Sequence, residues 1–116
     1  MKTKYHSREA ARLCPRFHRS VELIGRRWTG AVVSLLLDGP KRFSELLDGV
    51  PGISDRLLCE RLRELERLRI VKRSVARGRP LRVVYQLTRA GVELQPAVQA
   101  LGRWAHRWLP QTTSRS

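Results

Sequence analysis

Acidic residues are scarce: ten Asp and Glu stand against twenty Arg and four Lys in 116 residues, a formal net charge of +14. Residues 67–82 contain no acid at all, yet carry Arg67, Arg69, Lys72, Arg73, Arg77, Arg79 and Arg82. Such an excess calls for a polyanionic partner, nucleic acid first and an anionic membrane surface second. The bland alternative is solubility combined with an Arg-rich codon bias. Long apolar runs are missing too. The longest mostly apolar stretch, residues 30–37, has eight residues, where a spanning helix needs about 20. Lys2 and Lys4 are not followed by the apolar stretch of a secretory signal. Two cysteines, Cys14 and Cys59, are too few for a disulfide framework. The three histidines have no metal-ligand spacing. No nucleophile–base pair, Gly-rich phosphate loop or paired carboxylates stand out, so catalysis, a metal and a cofactor are not expected, and the chain is expected in the cytoplasm.

What is present is enough for a core. Hydrophobic residues make up 41% of the chain, with 17 Leu and 10 Val, and this length fits a single domain. Residues 1–13 read as a basic arm or short helix, 14–110 as the domain and 111–116 as a frayed tail. Phe17, Val21 and Ile24, widened by Leu23, recur at helical spacing over 16–27, with Pro15 suited to the first turn. Residues 29–37 are apolar nearly all round, as a central helix requires, and Asp38-Gly39-Pro40 stops them. A short helix over 44–50, with Ser44 as its candidate cap, leads through Pro51-Gly52 to another capped by Ser54. In that fourth helix the 3.6-residue period gathers Leu58, Leu62, Leu65 and Leu68 on one side, and Arg56, Cys59, Glu60 and Arg63 on the other. Ile70, Val71, Val75 and then Val83, Val84, Tyr85, Leu87 predict two strands around a cationic turn at 76–80. Thr88 caps a last helix with Leu94, Val98, Leu101, Ala105 and Trp108 on one stripe; Pro96 inside it predicts a kink or a restart.

Four helices, a hairpin and a final helix, with a tight turn between the third and fourth, is the order of a winged helix-turn-helix: mainly α with a β-hairpin wing (α+β). The fourth helix is then the element that fits a major groove, while the hairpin tip reaches the adjacent backbone. The same residues resemble a known family. Cys14-Pro15, residues 22–29 (ELIGRRWT), 37–46 (LDGPKRFSEL), Gly52-Ile53-Ser54, 61–65 (RLREL), then Val83, Tyr85, Leu87-Thr88, Gly91 and Leu94 follow the ordered motifs of HxlR-type transcriptional regulators. The resemblance implies a bacterial, homodimeric DNA-binding regulator whose N- and C-terminal helices form the dimer interface. It also implies that a thiol in the position of Cys14 can sense electrophiles or oxidants. The chain departs from the pattern at Arg26-Arg27, where a small residue and Lys are usual, at Arg69, where Gly is common, and at Val84, where an acid is frequent.

On this frame the outer side of the fourth helix is the first candidate site. Arg56 and Arg63 suit guanine O6 and N7, and Glu60 suits cytosine N4; Cys59 lies among them as an ordinary groove residue. The competing reading is a solvated face tied by local ion pairs. Ser54 either caps alone or also reaches phosphate. Lys41, Arg42 and Ser44 stand where a helix start anchors phosphate. Arg77 and Arg79 flank Gly78 at the wing tip, where insertion into a minor groove is the functional reading. Arg61, beside the leucine stripe, reads as structural, its head sought by Glu64 or Glu45. Cys14 has Arg12, Arg16, His18 and Arg19 nearby, and a cationic helix start favours thiolate; its alternative is a small apolar residue at a dimer seam. Phe17, Leu101, Trp104 and Trp108 are candidates for that seam, the Trp pair being better suited to packing than to base stacking. The expected partners are double-stranded DNA, a second copy and a small electrophile, oxidant or effector, with the protein at the nucleoid. A nonspecific RNA-binding or DNA-architectural protein on the same fold is the alternative.

Overall fold

The computed structural model describes residues 14–78, 80 and 82–111. The arm 1–13, the wing-tip Arg79 and residues 112–116 of the tail therefore lie outside the described residues. Helix α1 (Pro15–Gly25) begins with Pro in its first turn, where the missing N–H is no loss. Helix α2 (Thr29–Leu36) follows a sharp corner at Trp28, whose φ of 78° is left-handed, a conformation that costs a non-glycine residue roughly 1–2 kcal/mol. Then come β1 (Lys41–Arg42), α3 (Phe43–Gly49), α4 (Asp55–Arg67), β2 (Val71–Ala76), β3 (Arg82–Leu87), α5 (Arg89–Glu93) and α6 (Gln95–Trp108). The helix-turn-helix is α3 and α4, joined through Gly52 at φ 95°. The antiparallel sheet has the order β1-β3-β2, with Lys41 opposite Tyr85 and Val71 opposite Leu87.

The core is built from α2, α3, α4 and the base of the sheet. Val32, Val33 and Leu36 meet Leu46, Val50 and Ile53, and Leu58, Leu62 and Leu65 close over Ile70, Val71 and Leu87. Each such leucine contributes about 1.5–3 kcal/mol by leaving water. Thr88 knots the sheet to the end of α4. Its hydroxyl donates to the Arg69 carbonyl at 2.6 Å and accepts from Gly91 N at 3.3 Å, while its own N–H reaches Ile70 O at 2.9 Å. Arg69 turns the chain out of α4 at φ 60°. That left-handed conformation is the physical reason glycine suits the position.

Of the two outcomes expected at Pro96, the last helix restarts, giving α5 and α6 with Pro96 in the opening turn of α6. Four other expectations change. Ser44 does not cap α3: Arg42 holds the N-cap, its backbone N–H donating to Glu45 Oε1 at 2.8 Å. Lys41 and Arg42 add a third strand to the hairpin. Leu68 falls past the end of α4 and is largely exposed, leaving the leucine stripe one residue shorter, and β2 begins at Val71 rather than Ile70.

Candidate nucleic-acid interface

Helix α4 presents a charged outer surface because its leucines take the inner one. Ser54 Oγ accepts from Leu57 N at 3.1 Å and Asp55 occupies the first turn, so the helix starts with both a cap and a favourable charge at its positive end. Arg56, Glu60 and Arg63 are exposed and Cys59 is half-buried. Arg56 Nε lies 3.4 Å from Glu60 Oε2, an exposed pair worth well under about 1 kcal/mol and easily exchanged for contacts to a ligand. Arg61 points the other way: it is mostly buried and its Nη1 donates to Glu64 Oε1 at 3.3 Å, as its place beside the leucine stripe predicts.

Beside α4 the hairpin forms the wall of a groove of about 540 Å³, lined by Cys59, Leu62, Arg63, Glu66, Arg67, Arg73 and Tyr85. Arg73 Nε lies 3.2 Å from Glu66 Oε1 and so ties β2 to α4. Burial raises the Tyr85 phenol pKa, helped by the Glu66 charge and opposed by Arg73, which keeps this hydroxyl protonated and able to donate. Lys72 and Arg77 are exposed on the wing. Lys41 is half-buried in β1, while Arg42 and Ser44 are exposed at the start of α3, with Arg42 Nε 3.9 Å from Glu45 Oε1. The acid-free run thus surrounds α4 on its wing side, and Arg56, Cys59, Glu60 and Arg63 share the neighbouring face.

Helices α1 and α6 differ from α4 in leaving large apolar side chains in the open. Helices α1 and α6 bury no residue fully, and they expose Phe17, Val21, Leu101, Trp104 and Trp108, the last at 63%. Cys14 is the N-cap of α1 and is half-exposed. The backbone N–H of Arg16 lowers its pKa most, with the Arg16 side chain and Phe17 N–H adding to this and partial desolvation opposing it. Among the described residues no three His, Cys, Asp or Glu cluster as metal ligands, and no helix is long and apolar enough to cross a membrane.

Two features of this surface escape sequence reasoning: the Glu66–Arg73 tie and a contact of Arg26 Nε with Glu64 Oε2 at 3.2 Å. Both join separate elements, so no helical or strand period signals them.

A capped helix behind a glycine turn with a cationic wing beside it defines a winged helix-turn-helix DNA-binding protein. The HxlR-like helix-turn-helix family matches residues 23–113, and the chain belongs to this family of transcriptional regulators. It is 42% identical over 96 residues to the HTH-type transcriptional regulator YodB of Bacillus subtilis, covering 83% of this chain and 86% of that protein. The solved reduced form of YodB superposes with a TM-score of 0.78 at 40% identity, over 86% of this chain and 98% of that one. The redox regulator HypR in its oxidised form gives 0.75 at 35% identity, over 86% and 100%.

Proposed function

We propose that two copies of this chain, joined through α1 and α6, bind an operator with two-fold symmetry and release it when Cys14 is modified. The exposed face of α4 carries the proposal: it presents Arg56, Glu60 and Arg63 in the element that a winged helix lays in the major groove. In this arrangement Arg56 and Arg63 pair with guanine edges, Glu60 takes a cytosine amino group, and Cys59 packs in the groove. Ser54, Lys41, Arg42 and Ser44 hold phosphates, and Arg77 with Arg79 follows the adjacent minor groove. Phe17, Leu101, Trp104 and Trp108 form the dimer seam. The role is binding rather than catalysis, in the cytoplasm and on the nucleoid.

The thiol reading rests on Cys14 at a helix N-terminus with a lowered pKa, since the thiolate is the reactive form. YodB has been solved in a reduced form and HypR is called a redox regulator; an electrophile or oxidant is the matching effector for this chain. The test is selection of bound duplexes from a random pool, followed by footprinting. A symmetric footprint with half-sites about one helical turn apart, or a multiple of it, is expected. Equal affinity for selected DNA, random duplex and RNA at fixed salt would replace the proposal with a nonspecific binder. Diamide or a quinone should release the selected duplex from the wild type and not from Cys14→Ser; equal release from both would remove Cys14 as the sensor.

A further inference from the structure

The corner between α1 and α2 touches α4 near both of its ends. At one end, the Trp28 ring lies against the turn before α4: a Cβ on Gly52 would stand 3.3 Å from Trp28 Cη2. At the other, Arg26 Nε meets Glu64 Oε2 at 3.2 Å in the second half of the helix. The corner itself is held. Arg26 N–H donates to Leu23 O at 3.3 Å, Thr29 N–H donates to Arg26 O at 3.1 Å, and Thr29 is fully buried. Trp28 packs against the core, and the Arg27 guanidinium covers its ring at 4.6 Å. Glu64 has both carboxylate oxygens engaged, Oε2 by Arg26 and Oε1 by Arg61. Because Arg61 Nε is buried without a partner, Arg61 depends on Glu64 as its counter-charge. The ion pair to Arg26 therefore reaches a carboxylate already fixed in place, and a fixed acceptor transmits position where a mobile one would not.

We propose that Arg26 is a positioning residue for DNA recognition: through Glu64 it sets the lie of α4 relative to α1, the helix whose N-cap is Cys14. The inference rests on the proposal that α4 reads the duplex. Arg26 has no need to touch DNA in this role, which separates it from Arg56 and Arg63. It also gives α1 a mechanical connection to α4, since a shift of α1 moves the Arg26 backbone and with it the grip on Glu64.

The experiment uses the full chain and a duplex recovered by selection, with a scrambled duplex beside it, over a range of KCl. Wild type, Arg26→Ala, Arg26→Lys and Arg63→Ala are compared, and hydrogen exchange of the α4 amides is followed in the free proteins. Arg26→Ala is expected to lose three- to tenfold in affinity for the selected duplex and to lower the selected-to-scrambled ratio. Its salt dependence should stay as in wild type, because no phosphate contact is removed. The amides in the last turns of α4 should exchange faster, and Arg26→Lys should recover most of both effects. A salt slope lowered by about one charge with the ratio intact would make Arg26 a phosphate contact and overturn the proposal. Unchanged affinity and unchanged exchange in Arg26→Ala would overturn it as well. If wild type shows no preference and Arg63→Ala changes nothing, the reading role of α4 fails, and the proposal with it. Faster exchange in Arg26→Ala would even then show that the grip on α4 exists.

Discussion

Helices α4 and α6 are of nearly equal length, 13 and 14 residues, and both are amphipathic, but their apolar sides meet different fates. In α4 the leucines at 58, 62 and 65 are sealed against α2 and the sheet; in α6, Leu101, Trp104 and Trp108 stay more than half exposed. The difference teaches what each helix is for. A stripe satisfied within its own chain frees the opposite face for a charged ligand. A stripe left open, with large aromatics on it, needs apolar surface from elsewhere, since exposed apolar patches mark interaction sites. In the proposed function a second copy supplies it through the same patch, which gives a two-fold arrangement.

The largest effect should come from spoiling the open stripe. Leu101→Glu with Trp104→Glu is expected to give a folded monomer by sedimentation, because neither side chain is buried, and to lose at least roughly a hundredfold in operator affinity as bivalency disappears. A variant that stays dimeric would move the seam elsewhere. On the sealed helix, Arg63→Ala should cost about 1–3 kcal/mol in binding to the selected duplex and relax preference at one base position. Loss of the same size on random duplex would demote Arg63 to a phosphate contact. Arg77→Ala should act more gently, a few-fold loss on every sequence with the salt slope reduced by about 1. The smallest change concerns Cys14 alone. Its alkylation rate should rise with pH and reach half its plateau below the pH of an ordinary thiol, since a lowered pKa yields thiolate earlier. Arg16→Ala should move that midpoint only part of the way back, because the backbone N–H of residue 16 is the larger cause and remains. An ordinary midpoint would leave Cys14 no more reactive than any exposed thiol.

The two regions were not equally legible in the sequence. Leucines at a helical period, a serine before Asp55 and the Pro51-Gly52 pair specify α4 through local rules, and its inner and outer faces follow from geometry. Thr88 is likewise readable as a cap, and the structure adds its bond to the Arg69 carbonyl. Strand β1 could not be read, because two cationic residues have no alternation and gain their conformation from β3. Arg42 was hidden as an N-cap for a different reason: the bond runs from its backbone to Glu45, so its side chain carries no capping signal. Leu68 continues the leucine spacing, but Arg69 turns the chain immediately after it and the period loses its surface to pack on. The pairs Arg26–Glu64 and Glu66–Arg73 depend on how elements are stacked, which single-sequence periodicity does not encode.

The short strand β1 also decides how the wing behaves as a lever. Its pairing with β3 stops at Arg42 opposite Val84, so only the base of the hairpin is three strands wide. Beyond that point Val75 faces Val83 and residue 76 faces Arg82 on a bare two-stranded ribbon, with both valines about half exposed. An isolated two-stranded ribbon is marginal in water, so bending should concentrate past Val84 while the strands beside α4 stay stiff. In the proposed complex the wing is a cantilever clamped at its root, able to follow grooves of differing width without disturbing the helix beside it.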